Sequence, residues 1–247
     1  MGHADLADVA SLRSHLFANR SMKDELIAVA RDAHELKPTL VLLDNLNCER
    51  GMKERDALLQ DASPRPEYAS LLEAYSKSTC GDRLGAIGLL QKELLHALGA
   101  SHKTLQTWHQ LRQLGVNPGV DVAQEVLGVV IDVSFTQGTE TTALYSDGSW
   151  EWVGTNRELR ARSEKSPQSK DAARHLVSEA AALLKVGRKE SDVNRPVNAG
   201  FMRWTFLTPA GHWVSEIPSS DFAAERTDLT PLRAPLQEFR KFASVVY

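Results

Sequence analysis

Apolar residues return at steps of three and four through the first ~115 positions, the period of helices with one buried face. Leu6, Val9, Leu12 and Leu16 form such a stripe over Asp5 to Phe17. Ser21-Met22-Lys23-Asp24 resembles a capping box and opens a helix carrying Leu26, Ile27, Val29 and Ala30. Pro38 interrupts, and Thr39 to Leu46 fits a short strand or a helix, the helix being favoured by its neighbours. Pro64-Arg65-Pro66 marks a break. Tyr68, Leu71, Leu72 and Tyr75 then share a helix face. A further helix over Asp82 to Leu98 carries Leu84, Ile87, Leu90, Leu94, Leu95 and Leu98 and stops at Gly99. Ser101 suits the cap of a last helix with Leu105, Trp108, Leu111 and Leu114.

The pattern changes at Asn117-Pro118-Gly119, which predicts a helical domain over 1–116 and a second domain over 117–247. Val126 to Phe135 is apolar on both sides at its start, as a central strand should be. Thr141 to Tyr145, the turn Ser146-Asp147-Gly148-Ser149 and Trp150 to Val153 read as a hairpin, with another short strand near Glu158 to Arg162. The polar stretch Ser163 to Lys170 reads as a surface loop, and Asp171 to Val186 as an amphipathic helix stopped by Gly187. Arg203 to Leu207 and His212 to Ile217 flank the turn Thr208-Pro209-Ala210-Gly211. Thr230-Pro231 opens a final helix with Leu236, Phe239, Phe242 and Val246. Hairpins with segregated helices predict an α+β fold, a twisted antiparallel sheet with helices on one face.

Counting the helix at 101–114 in front, the order α-β3-α-β2-α resembles the type III secretion chaperone-like fold, a group of small bacterial protein-binding domains. Ala143-Leu144-Tyr145-Ser146-Asp147-Gly148 is also similar to hairpins in uncharacterised bacterial proteins. The resemblance covers roughly residues 100–247. It implies non-catalytic binding of a partner segment, with a dimer as the oligomeric form, and carries over no site residues.

Charge and chemistry narrow the classes. The 247 residues carry a net charge of −3, too weak a field to imply nucleic acid or a membrane surface as a global partner. Arg157 to Arg195 nevertheless holds ten basic and six acidic residues, a net +4. No apolar run approaches the ~20 residues of a membrane span. Met1-Gly2-His3-Ala4-Asp5 lacks the basic and apolar stretches of a secretion signal. The two cysteines, Cys48 and Cys80, stand in dissimilar contexts and read as free thiols, so a reducing cytoplasmic setting is expected. Cys80, just before a helix start, is the more reactive candidate, yet no placed histidine supports it. His96, His102 and His109 lack the four-residue spacing of a helical metal pair. There is no nucleophile elbow and no phosphate-cradling glycine loop. No metal, cofactor or catalytic group is expected. Asp132, a carboxylate inside an apolar strand, is read as pointing outward at the end of the sheet.

The aromatic residues carry the strongest functional signal. Tyr145, Trp150, Trp152, Trp204, Phe206 and Trp213 all fall on the two hairpins, including four of the five tryptophans. They build either a buried core or, if one sheet face is open, a binding surface. The favoured reading is a non-catalytic adaptor, chaperone or inhibitor of a partner protein encoded nearby. The partner's apolar or extended segment would dock on the aromatic sheet face of Tyr145, Trp150, Trp152, Trp204 and Trp213, or on a free sheet edge, and Arg157, Arg160 and Arg162 would steer the encounter. Two other classes remain: nucleic-acid binding through Arg157, Arg160, Arg162, Lys165 and Lys170 with bases stacked on the sheet, and an enzyme whose site residues are dispersed in sequence.

Overall fold

Several helices begin where a side chain satisfies one of their first N–H groups. The structure, a computed structural model, describes residues 12–30, 35–61, 68–155, 159–162 and 166–244. Its helices are α1 (12–16), α2 (Met22–Ala30), α3 (Leu36–Asp44), α4 (Cys48–Asp61), α5 (Ala69–Thr79), α6 (Arg83–His96), α7 (Ser101–Gln113), α8 (Val120–Ala123), α9 (Pro167–Ala181), α10 (Ser219–Ala223) and α11 (Arg233–Ser244). The strands are β1 (Gly128–Phe135), β2 (Gly138–Tyr145), β3 (Trp150–Val153), β4 (Leu159–Arg162), β5 (Arg188–Glu190), β6 (Phe201–Thr208) and β7 (Gly211–Pro218). The chain divides into a helical unit, 19–98 with 106–117, and a sheet unit formed by the rest. The division differs from a helical domain over 1–116, because 12–18 and 99–105 belong with the sheet.

In the helical unit, Ser21 Oγ accepts the Asp24 N–H at 3.1 Å and donates to the Asp24 carboxylate at 2.7 Å, so the expected cap forms. Pro38 falls in the first turn of α3, where its missing N–H costs nothing, and Thr39 to Asp44 is helical. Leu26, Leu36, Leu40, Leu43 and Leu72 pack into one cluster, and Met22, Ala74, Ala86, Leu90, Leu111 and Leu114 into another. Asp44 ties three helices together: Lys23 of α2 lies 3.0 Å from its carboxylate and Tyr75 of α5 donates to it at 2.7 Å. Burial, then this carboxylate, pushes the Tyr75 hydroxyl up to about 12. Asp82 caps α6 by accepting the Gly85 N–H at 2.9 Å.

The cysteines are not free. Cys48, at the start of α4, and Cys80, just after α5, form a disulfide across 32 residues of sequence. Dissimilar local contexts hid the pair, because the α4–α5 packing is what brings their backbones together. The bond removes the cysteine argument for a reducing compartment. No helix among the described residues is long and apolar enough to cross a membrane.

In the sheet unit, seven strands pair antiparallel in the order β4-β3-β2-β1-β6-β7-β5. The two hairpins are those expected. An edge strand adds to each half: β4 follows β3, and the unforeseen β5 pairs with β7. The order is therefore α-β4-α-β3-α rather than α-β3-α-β2-α. Gly148 takes the turn at φ +87°, which turns the chain back so that Ser149 O accepts the Tyr145 N–H at 2.9 Å. Asp147 in the same turn accepts the Ser101 N–H at 2.8 Å, so α7 is capped from the hairpin and not by Ser101 itself. Ser166 caps α9 by accepting the Ser169 N–H at 3.2 Å, which makes Pro167 to Lys170 a helical turn where a loop was expected.

Val129, Ile131, Leu144, Trp150, Trp204 and Phe206 form the core beneath α9 and α11. Val130, Ala143, Tyr145 and Leu207 form a second core on the opposite face. Leu16, Phe17 and Ala18, Leu105 of α7 and Val193 cover that second face.

Reduction of the disulfide, or Cys80→Ser, is expected to cost the helical unit about 3–4 kcal/mol, from the loop-closure entropy it removes from the unfolded chain. Urea unfolding followed by circular dichroism with and without reductant measures this; coincident midpoints would show that the bond contributes nothing.

Candidate functional site

The expected docking face is interior. Trp150 is 2% exposed and Trp204 0%. Trp150 Nε1 donates to Ser169 Oγ at 3.0 Å and its ring meets Phe239 edge-on at 5.3 Å. Trp204 packs against Phe222 at 5.6 Å. Trp152 and Trp213 are half-buried against the same core, with the Lys189 ammonium 5.7 Å above the Trp213 ring. Tyr145 lies in the second core and donates to Leu16 O at 2.7 Å. Burial holds its hydroxyl protonated, well above the usual range. All four indoles sit on the helix-covered face, and the face expected to be open is covered as well. A docking surface of Tyr145, Trp150 and Trp204 is thereby corrected, and so is base stacking on these rings. Arg157 and Lys165 lie outside the described residues, as do the side chains of Arg160 and Arg162 on strand β4. Lys170 belongs to the first turn of α9.

Asp132 does not point outward. It lies in the middle strand of the sheet, between β2 and β6, and is 0% exposed. A carboxylate there is costly unless compensated. Arg13 meets it with two hydrogen bonds, at 3.0 and 3.1 Å, and Thr141 Oγ1 donates to it at 2.6 Å. The same guanidinium donates to Val193 O at 3.0 Å and lies over the Phe17 ring. Opposite Asp132 in the ladder stands Arg203, 1% exposed. Arg203 donates to Glu216 at 3.0 and 3.1 Å and to the carbonyls of Arg195 and Pro196. The half-buried Arg13 and the buried Arg203 thus pin segment 193–196 to the sheet.

Beside this network lies a cavity of about 410 Å³. Its polar lining comes from Arg13, Thr139, Thr141, Thr155, Asn194 and Arg195, and its apolar wall from Leu12, Leu16, Val153 and Val197. Arg195 pairs with Glu216 at 2.8 Å. The pairing of Asp132 was hidden because alternation says which face a residue takes, not whether that face is covered.

The His15 and His102 rings lie 4.5 Å apart, and no group of three or more metal-ligating side chains occurs among the described residues. His102 Nε2 contacts His15 O at 2.7 Å. His109 is half-buried with its ring nitrogen 3.0 Å from the Gln113 amide. Burial, then the charge of Arg112, lowers its pKa to about 4.

A second candidate surface lies in the helical unit. Helix α6 is apolar around most of its circumference, and only Ala86 and Leu90 are fully buried. Leu84 is 81% exposed and Leu95 70%, and Leu98 in the turn beyond is 82% exposed. Leu84 and Leu95 are about three turns apart on one face. Gly88 and Gln91 continue the stripe between them, and a Cβ on Gly88 would meet nothing within 4 Å. The charged residues exposed on α6 are Arg83 and Lys92, both basic. The periodicity read all six leucine and isoleucine positions as one stripe; packing uses only part of it and leaves the rest in water.

No family model, no curated protein and no solved structure matches this chain.

Arg13→Ala is expected to destabilise the sheet unit by about 3–5 kcal/mol, because it strands a buried carboxylate. Adding Asp132→Asn should restore much of the loss; a single and a double variant that melt alike would refute the coupling. His109 stays neutral in the folded chain down to about pH 4. The unfolded chain takes up that proton near 6.5. Stability of the helical unit is therefore full above that value and falls as pH drops from 6.5 toward 4. His109→Gln should flatten this part of the stability–pH curve, and an unchanged slope would contradict the assignment.

Proposed function

We propose that this protein is a non-catalytic binding accessory that docks another protein through the exposed leucine stripe of α6. The carrying observation is that Leu84 and Leu95 stand in water at helical spacing on a well-formed helix, with Leu98 exposed in the turn beyond it. Contiguous exposed apolar surface marks interaction sites more often than scattered single residues do. The fitting occupant is an amphipathic helix: its side chains interdigitate with a ridge of this period, and Gly88 leaves a hole for one of them. Lys92 flanks the stripe, and the exposed carboxylate at the helix start, Asp82, is already paired with Lys77, so the partner helix carries an acidic residue beside its apolar seam. This keeps the protein-binding role anticipated from sequence and moves its surface from the sheet to the helical unit. Steering by Arg157, Arg160 and Arg162 is no part of it.

The test is parallel affinity capture with the wild type and Leu95→Glu, followed by binding of the captured partner's isolated helical segment. The segment should bind the wild type and lose at least about tenfold in affinity to the variant. The variant's own stability should stay within about 0.5 kcal/mol, since the site is exposed. Equal binding by both chains would overturn the proposal. So would sedimentation showing that Leu95 instead joins two copies of this chain.

A further inference from the structure

The cavity beside Asp132 has features that protein docking on α6 does not use. Among the described residues its charged lining consists of two arginines, Arg13 and Arg195, and no carboxylate. Their partners stand back from it: Asp132 is fully buried, and the Glu216 side chain is 15% exposed and turned to Arg203. The hydroxyls of Thr139 and Thr155 and the amide of Asn194 add neutral hydrogen-bonding groups. The segment carrying Asn194 and Arg195 is held by hydrogen bonds from Arg13 to Val193 O and from Arg203 to Arg195 O and Pro196 O. Its groups are therefore in place before any ligand arrives, which lowers the ordering cost of binding. A volume of about 410 Å³ lies in the range of small-molecule sites.

From this we infer that the sheet unit binds a small organic monocarboxylate with an apolar tail. Arg195, which spends one terminal nitrogen on Glu216, meets the carboxylate together with the hydroxyls of Thr139 and Thr155, while Arg13 stays paired with Asp132 through both terminal nitrogens, and the wall of Leu12, Leu16, Val153 and Val197 takes the tail. The charge count selects a monoanion over a phosphate. Among the described residues, Arg13, Arg195 and Arg203 face Asp132 and Glu216 in the hydrogen-bonded network, leaving one positive charge in excess. Glu190, on the neighbouring strand, feels Arg195, but accepts the N–H groups of Ser191 and Asp192 and lies near Arg188. A phosphate monoester brings close to two negative charges at pH 7 and finds only one to match. Arginine also suits planar two-point recognition of a carboxylate.

The experiment is calorimetric titration of the full chain with phenylacetate and hexanoate, with phenylacetamide and inorganic phosphate as controls. Both carboxylates should bind saturably, while the neutral amide and phosphate should bind at least about tenfold more weakly. Arg195→Gln should weaken phenylacetate by at least about tenfold with an unchanged thermal midpoint, because that side chain is at the surface. Thr155→Val gives a second, milder reading in which affinity falls with the charges intact. No saturable binding of either carboxylate, tighter binding of phosphate, or full affinity in Arg195→Gln would each overturn the inference. Because α6 is not involved, Leu95→Glu should bind phenylacetate like the wild type.

Discussion

Asp132 is a full negative charge in the middle strand of seven, and the sheet unit is arranged around its neutralisation. A buried carboxylate without a cation would cost several kcal/mol, enough to cancel much of a domain's net stability. The compensating guanidinium comes from Arg13, more than a hundred residues away in sequence. That single contact commits the segment around Leu16 and Phe17 to the second face of the sheet, where both enter the core. It also reaches the Val193 carbonyl and so helps place the loop between β5 and β6. Arg203 repeats the device one strand over, with Glu216 as its counter-ion and the Arg195 and Pro196 carbonyls as further acceptors. Covering the second face is thus enforced by electrostatics as much as by apolar burial.

This cover removes the two sheet faces as docking surfaces and gives the indoles a structural role. Trp150 holds the start of α9 through Ser169 and stacks edge-on with Phe239 of α11, while Trp204 reaches Phe222 of α10. Large rigid rings at these points set the spacing between the sheet and its helices. Among the described residues, two kinds of surface stand out. One is the leucine stripe of α6, a ridge that its own unit does not bury. The other is the arginine-lined cavity beside the charge network, where the groups that stabilise the fold also shape a polar recess.

The disulfide and the Asp44 cluster show the same logic within the helical unit. Short helices need more than propensity to hold their places. Cys48–Cys80 joins the start of α4 to the end of α5, and Asp44 links α2, α3 and α5 through Lys23 and Tyr75. Covalent and polar links thereby supplement leucine clusters of modest size.

Much of the architecture could be read from the chain alone, because it depends on local periodicity and turn chemistry. The helices around Leu26, Tyr75, Leu90 and Leu111, the cap at Ser21, the turn at Gly148 and both hairpins follow from residues close in sequence, and so does the α+β class. What the sequence left open were matters of long-range pairing. Alternation placed Trp150 and Trp152 on one face without saying what lay above them. Asp132 demanded a cation without naming Arg13 among many, and two unlike cysteines gave no sign of meeting. The leucines of α6 looked alike until packing used some and left others in water. Local order is written in neighbouring residues; burial, charge compensation and exposure belong to residues far apart in the chain, and only the tertiary structure decides them.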